Sequence, residues 1–155
     1  MRSEEETDRA IELYGDTVKR ICMLNLKNQA DTEDIFQNVF IKYLLRGEPF
    51  ESAAHERAWI IRVTVNECKD LLKSFFRAKT APLSEELTAA DDTEKRELLY
   101  ALGGLKEKYR TVLYLHYFEG YSAAEIGKLT GKGENTVYTR LARGRRLLAE
   151  RLGEE

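Results

Sequence analysis

Five arginines crowd the carboxy-terminal end of this chain: Arg140, Arg143, Arg145, Arg146 and Arg151. A guanidinium is a permanently charged, planar fork of donors. It suits phosphate oxygens and the paired acceptors on the edge of guanine. Val137, Leu141, Gly144 and Leu148 recur at spacings of four and three, which predicts a helix with one apolar face, and the arginines lie off that face. Just upstream, Ser122 and Glu125 have capping-box spacing, in which each side chain serves an unpaired amide at a helix start. Gly131 and Gly133 flank Lys132 and are expected to supply left-handed backbone for a tight turn. A short helix, a glycine turn and a basic helix predict a helix-turn-helix whose second helix enters the major groove of DNA. The alternative is a terminal helical hairpin with solvated arginines.

A second cationic row lies mid-chain. Ala58, Ile61, Val65, Cys68 and Leu72 step by three and four and are expected to face a core. Trp59, Arg62, Asn66, Lys69, Lys73 and Arg77 step the same way on a neighbouring face. Cations there attract phosphates, and an indole offers a surface on which an unpaired base can stack. The alternative is a solvated face beside a core tryptophan.

Covalent and acid–base chemistry has no comparable support. His55 and His116 stand alone, and no Ser or Cys has a base beside it. Nucleophilic catalysis needs that pairing. Asp31, Glu33 and Asp34 resemble the carboxylates of a metal site, but they open a predicted helix without a nearby His or a second acidic cluster. The chain is therefore read as non-enzymatic, with no cofactor and no metal. Cys22 and Cys68 have no paired spacing and fall among apolar neighbours, as small core residues of a reducing cytoplasm do. No apolar stretch reaches membrane-spanning length, and the acidic, polar amino terminus does not read as a secretion signal, so a cytoplasmic protein without membrane insertion is expected.

The elements that must carry these rows are helices. The chain of 155 residues is rich in Leu, Ala, Glu, Lys and Arg, and its only prolines are Pro49 and Pro82. A first helix is predicted over about residues 5–27, burying Ile11, Tyr14, Val18, Ile21, Cys22 and Leu26. Asp31 is expected to cap a second helix, to about Leu45, with Ile35, Phe36, Val39, Phe40, Tyr43 and Leu44 as its apolar stripe. A loop with Pro49 follows, then a third helix from about Glu56 to Arg77. Shorter helices are predicted from Thr93 to Leu102 and from Lys106 to Phe118, ahead of the final pair. The net charge of −2 is segregated: residues 57–79 are basic, residues 80–97 acidic and the last helix basic again. Two cationic modules joined by an acidic connector imply two nucleic-acid surfaces. The expected fold is all-α, a three-helix bundle and a four-helix unit.

Three segments also carry a resemblance. Asp31-Thr32-Glu33-Asp34-Ile35-Phe36-Gln37-Asn38-Val39-Phe40 resembles the helix with which bacterial RNA polymerase sigma factors bind the polymerase clamp, although Asn38 stands where that family usually has an acid. Arg57-Ala58-Trp59-Ile60-Ile61-Arg62, continuing to Asn66 and Asp70, is similar to the helix used on the promoter element nearest the start site. Thr136-Val137-Tyr138-Thr139-Arg140-Leu141-Ala142-Arg143-Gly144-Arg145 resembles the promoter-distal recognition helix, with Tyr138 in place of a basic residue. Gly104-Leu105 departs from the Leu-Pro usual before the distal unit, which is expected to loosen the helix start that follows. The order and the short connector resemble the extracytoplasmic-function class.

The resemblance implies a region 2-like domain over residues 1–77, a linker over 78–92 and a region 4-like domain over 93–155. It implies that Asp31, Glu33, Asp34, Gln37 and Asn38, read as exposed polar positions, bind the clamp of the largest polymerase subunit. The distal unit would meet the flap of the second-largest. Trp59, Arg62, Asn66, Lys69 and Lys73 would contact melting DNA, and the loop at about Arg46 to His55 would hold an extruded base. Asn66 and Asp70 have a competing role in fixing their helix against its neighbours. Asn135, Thr136, Tyr138, Thr139 and Arg143 would face base edges, with Arg140 and Arg146 on phosphates. Glu85, Glu86, Asp91 and Asp92 of the linker would either be solvated or mimic nucleic acid inside the polymerase. An anti-sigma partner is also implied. A stand-alone helix-turn-helix repressor or activator is the alternative.

Overall fold

A computed structural model describes residues 1–75 and 93–153 of the chain. The expected linker, with its four carboxylates, and Arg77 lie outside the described residues. Those described form seven helices and no strand: α1 Glu4–Leu26, α2 Gln29–Leu45, α3 Ala53–Phe75, α4 Thr93–Gly103, α5 Glu107–Tyr117, α6 Ala123–Thr130 and α7 Glu134–Arg151. Helices α1 to α3 make one compact unit and α4 to α7 another.

In the first unit, α1 packs on both α2 and α3. Val18, Ile21, Cys22, Leu24 and Leu26 of α1, Ile35, Val39, Phe40 and Tyr43 of α2, and Ile60, Ile61, Val65 and Cys68 of α3 are buried and make up its core. Burial of this kind is the main force holding a small bundle together. Ile11, Phe36, Leu44, Ala58 and Leu72 are half-buried rather than central, while Ile60 and Thr64 are fully inside. The cysteines are free, their Sγ atoms 3.9 Å apart. The hydrogen bond with Cys68, reinforced by burial, pushes the Cys22 thiol well above its usual value.

Two helix starts differ from expectation. Asn28, not Asp31, caps α2: its Oδ1 accepts from the Asp31 amide at 2.8 Å, and its Nδ2 donates to Asp31 Oδ2 at 2.8 Å. Asp31 therefore sits inside the first turn and is 6% exposed. Helix α3 begins at Ala53 because Ser52 Oγ accepts from the His55 amide at 3.0 Å, and His55 Nδ1 accepts from the Glu51 amide at 3.0 Å. This reciprocal pair at a helix start shortens the preceding loop to residues 46–52.

The second unit wraps α5 and α6 around the apolar face of α7. Val137, Leu141, Gly144 and Leu148 are buried as the spacing predicts, against Leu113, Leu115 and Ile126 among others. The start of α5 is not loose: Arg110 is 5% exposed and its Nη1 donates to Leu105 O at 2.8 Å. That contact pins the turn in which Gly104-Leu105 stands. Gly104 itself lies against the Arg151 guanidinium.

Candidate nucleic-acid and polymerase interface

The capping box at α6 forms as read. Ser122 Oγ accepts from the Glu125 amide at 3.2 Å, and Glu125 Oε1 accepts from the Ser122 amide at 2.9 Å. The hydrogen bond from the Ser122 backbone holds the Glu125 carboxyl below its ordinary value. The turn that follows uses its glycines differently from expectation. Gly131 has φ +73°, the left-handed C-cap, but Gly133 has φ −68° and is the extended N-cap of α7. The second glycine with a steric role is Gly127, where a Cβ would stand 2.7 Å from Lys132 O.

This turn presents the first half of α7 outward. Asn135, Thr136, Tyr138, Thr139, Arg143 and Arg146 are exposed, and Arg140 is half-buried. A concavity of about 300 Å³ lies beside them, lined by Lys108, Tyr109, Asn135, Thr136, Thr139, Arg140 and Arg143. Lys108 and Tyr109 belong to α5. Only its packing on α7 brings them to the site, and no local pattern marks them. A hydrogen bond from Arg143 holds the Tyr109 phenol below its ordinary value. Arg145 is tethered instead to Tyr117, with Nε donating to the phenol oxygen at 2.7 Å.

On α3, Arg62, Asn66 and Lys73 are exposed, while Lys69 and Trp59 are half-buried. The indole is not a free platform. Phe50 lies 5.7 Å and Tyr43 6.3 Å from it, ring centre to ring centre, and the Arg46 guanidinium is 5.4 Å over its face. Asn66 and Asp70 are both exposed rather than turned into the bundle.

On α2, Glu33, Asp34, Gln37 and Asn38 are exposed. Asp31 is not, because Asn28 takes its carboxylate. The same helix carries Ile41 and Leu45, 51% and 62% exposed. Residue type alone placed neither of them outside the core. The three groups thus occupy three different helices, two in the first unit and one in the second.

Residues 10–77 match the family model for sigma-70 region 2, and residues 95–148 that for sigma-70 region 4. The chain is 29% identical over 150 residues to the ECF RNA polymerase sigma factor SigM of Mycobacterium tuberculosis, covering 94% of this chain and 76% of that one. It is 28% identical to the ECF RNA polymerase sigma factor SigW of Bacillus subtilis, covering 92% and 86%. The chain is a sigma-70-family sigma factor of the extracytoplasmic-function class. The fold of this sigma factor is also that of solved relatives. It is similar to RpoE of Bartonella quintana, in a co-crystal with the anti-sigma factor NepR, with TM-score 0.75, 18% identity and 96% and 98% of the two chains covered. It is similar to CnrH in complex with the cytosolic domain of CnrY, with TM-score 0.69, 21% identity and 97% and 90% covered.

Within the sigma factor, α1 to α3, apart from the start of α1, fall in the region 2 match, and α4 to α7, apart from the ends of α4 and α7, in the region 4 match. No described helix is long and apolar enough to cross a membrane.

Proposed function

We propose that this sigma factor binds core RNA polymerase and directs it to promoters, the α1–α3 unit docking on the clamp and opening DNA and the α4–α7 unit reading the distal element. One observation carries this: most cations described in each row, Arg62 and Lys73 on α3 and Arg143 and Arg146 on α7, are exposed on a helix whose opposite face is buried in its own unit. A row held that way meets phosphates without refolding. Glu33, Asp34, Gln37 and Asn38 contact the clamp of the largest subunit, and Asp31 supports them by holding the start of α2. Arg62, Asn66, Lys69 and Lys73 contact the melting strand, with Trp59 backing the loop before α3. Asn135, Thr136, Tyr138, Thr139 and Arg143 face base edges, and Arg140 and Arg146 hold phosphates. The polymerase flap receives the distal unit.

The factor works in the bacterial cytoplasm without catalysing a reaction of its own. An anti-sigma protein covers the same surfaces when the factor is idle. Transcription with purified bacterial core polymerase tests the whole: specific transcripts are expected only when the chain is added. Equal transcription without it, or no association with core, rejects the proposal.

A further inference from the structure

The residues before α1 reach the loop between α2 and α3 through one side chain. The Arg2 amide donates to Leu44 O at 2.8 Å and its Nη2 to Glu48 O at 2.6 Å. Its guanidinium lies 4.9 Å from the Tyr43 ring centre and 4.6 Å from that of Phe50. Arg46 comes to the same loop from its other end, 4.5 Å over Phe50, with Nε donating to Glu48 O at 3.2 Å. Two guanidiniums therefore share one ring and one carbonyl. The loop itself has no helix or strand to stiffen it.

The Arg2 side chain is only 11% exposed, and its Nε is buried with no hydrogen-bond partner among the described residues. The Glu6 carboxylate, 3.3 Å from Nη1, compensates this desolvated cation together with the two ring faces and the Glu48 carbonyl. Arg2 is thus a built part of the cluster rather than a solvated tail. It belongs to none of the three segments that carry the family resemblance.

We infer that Arg2 is a positioning residue for promoter opening: it locks residues 46–52, through Phe50 and Glu48, in the form that receives an extruded base. The inference rests on assigning that loop to the melted strand. A loop ordered in advance captures the base without the entropy cost of ordering it during opening.

Trp59 is the only tryptophan in the chain, so its fluorescence, read on the free factor before core polymerase is added, reports on this cluster alone. The test uses the full chain with core polymerase and a duplex promoter selected from a random pool by transcription with this factor, carrying 2-aminopurine in the melted segment. Arg2→Ala should slow opening on the order of tenfold, the effect of losing a desolvated cation–ring contact. It should also red-shift Trp59 emission and leave the affinity for core unchanged. Arg2→Lys, which keeps the charge but not the fork, should open at a rate between the two. Phe50→Ala should slow opening as Arg2→Ala does. Wild-type opening by Arg2→Ala beside slow opening by Phe50→Ala overturns the inference alone, and wild-type opening by both overturns the loop assignment beneath it. If Arg2→Ala loses helicity, Arg2→Lys decides: slowed opening with intact helicity supports the role, and wild-type opening rejects it.

Discussion

Glu56 ties three helices together through one carboxylate. It is 6% exposed and accepts from Tyr14 at 3.0 Å, Tyr43 at 2.7 Å and Arg9 at 3.0 Å. A buried carboxylate without partners is costly, so these donors are obligatory. Glu56→Ala leaves them without their acceptor and should lower the stability of the α1–α3 unit by about 3 kcal/mol, read from denaturant unfolding. A loss under about 1 kcal/mol would show that the cluster is incidental. The same contact sets an alkaline limit. Burial, with the bond to Glu56, raises Tyr43 from 10.0 to about 12. A phenol raised on folding contributes stability fully below its unfolded value and loses it as pH climbs to the folded one. Unfolding free energy should therefore hold to about pH 10 and fall by about 3 kcal/mol toward pH 12. Tyr43→Phe should flatten that fall, and an unchanged slope would remove Tyr43 from it. None of this was legible in the sequence, because Glu56 reads as an ordinary acid near a helix start. Its partners stand 13, 42 and 47 residues away.

At the scale of elements, legibility followed the range of the forces involved. The α6 cap and the apolar face of α7 rest on contacts a few residues apart, and both read correctly from spacing. The start of α2 did not, since Asn28 and Asp31 are equally good caps by type and only the fold chooses between them. The glycine turn was read half correctly. Gly133, with negative φ and open space around it, should accept alanine for no more than about 1 kcal/mol, the cost of alanine at an N-cap. Gly127→Ala drives a methyl into Lys132 O. It should cost about 2 kcal/mol in the α4–α7 unit as overpacking. Thermal melting of the two variants checks the contrast, and equal melting would mean the turn yields freely. On α2, Asp34, Gln37 and Ile41 are all exposed, and the proposed docking face is built on them. The double change of Asp34 and Gln37 to Ala should weaken binding to core polymerase by about 2 kcal/mol without loss of helicity. Unaltered affinity by titration calorimetry would move the docking face elsewhere.

For the molecule as a whole, charge decides what the chain can do unaided. The net charge is −2, and α1 exposes Glu4, Glu5, Glu6, Asp8, Glu12 and Asp16. Against these stand the short exposed rows on α3 and α7. A handful of phosphate contacts offset by this much negative charge leaves little sequence-independent affinity, with a slope of log affinity on log salt of only about −3. Discrimination by a few α7 side chains cannot make up the deficit, because each good base contact adds only about 1–3 kcal/mol. The proposed docking on polymerase changes the arithmetic by fixing the spacing of two units already joined in one chain. Both DNA contacts are then made at once, a gain of up to about 10²–10⁴ in apparent affinity. At about 0.15 M salt, where exposed charges are screened beyond about 8 Å, the chain alone should not distinguish a selected promoter duplex from a scrambled one by fluorescence anisotropy. The same duplexes should separate clearly once core polymerase is present. If the free chain discriminates as well as the holoenzyme does, the recognition helix acts alone and a conventional repressor or activator describes the protein better.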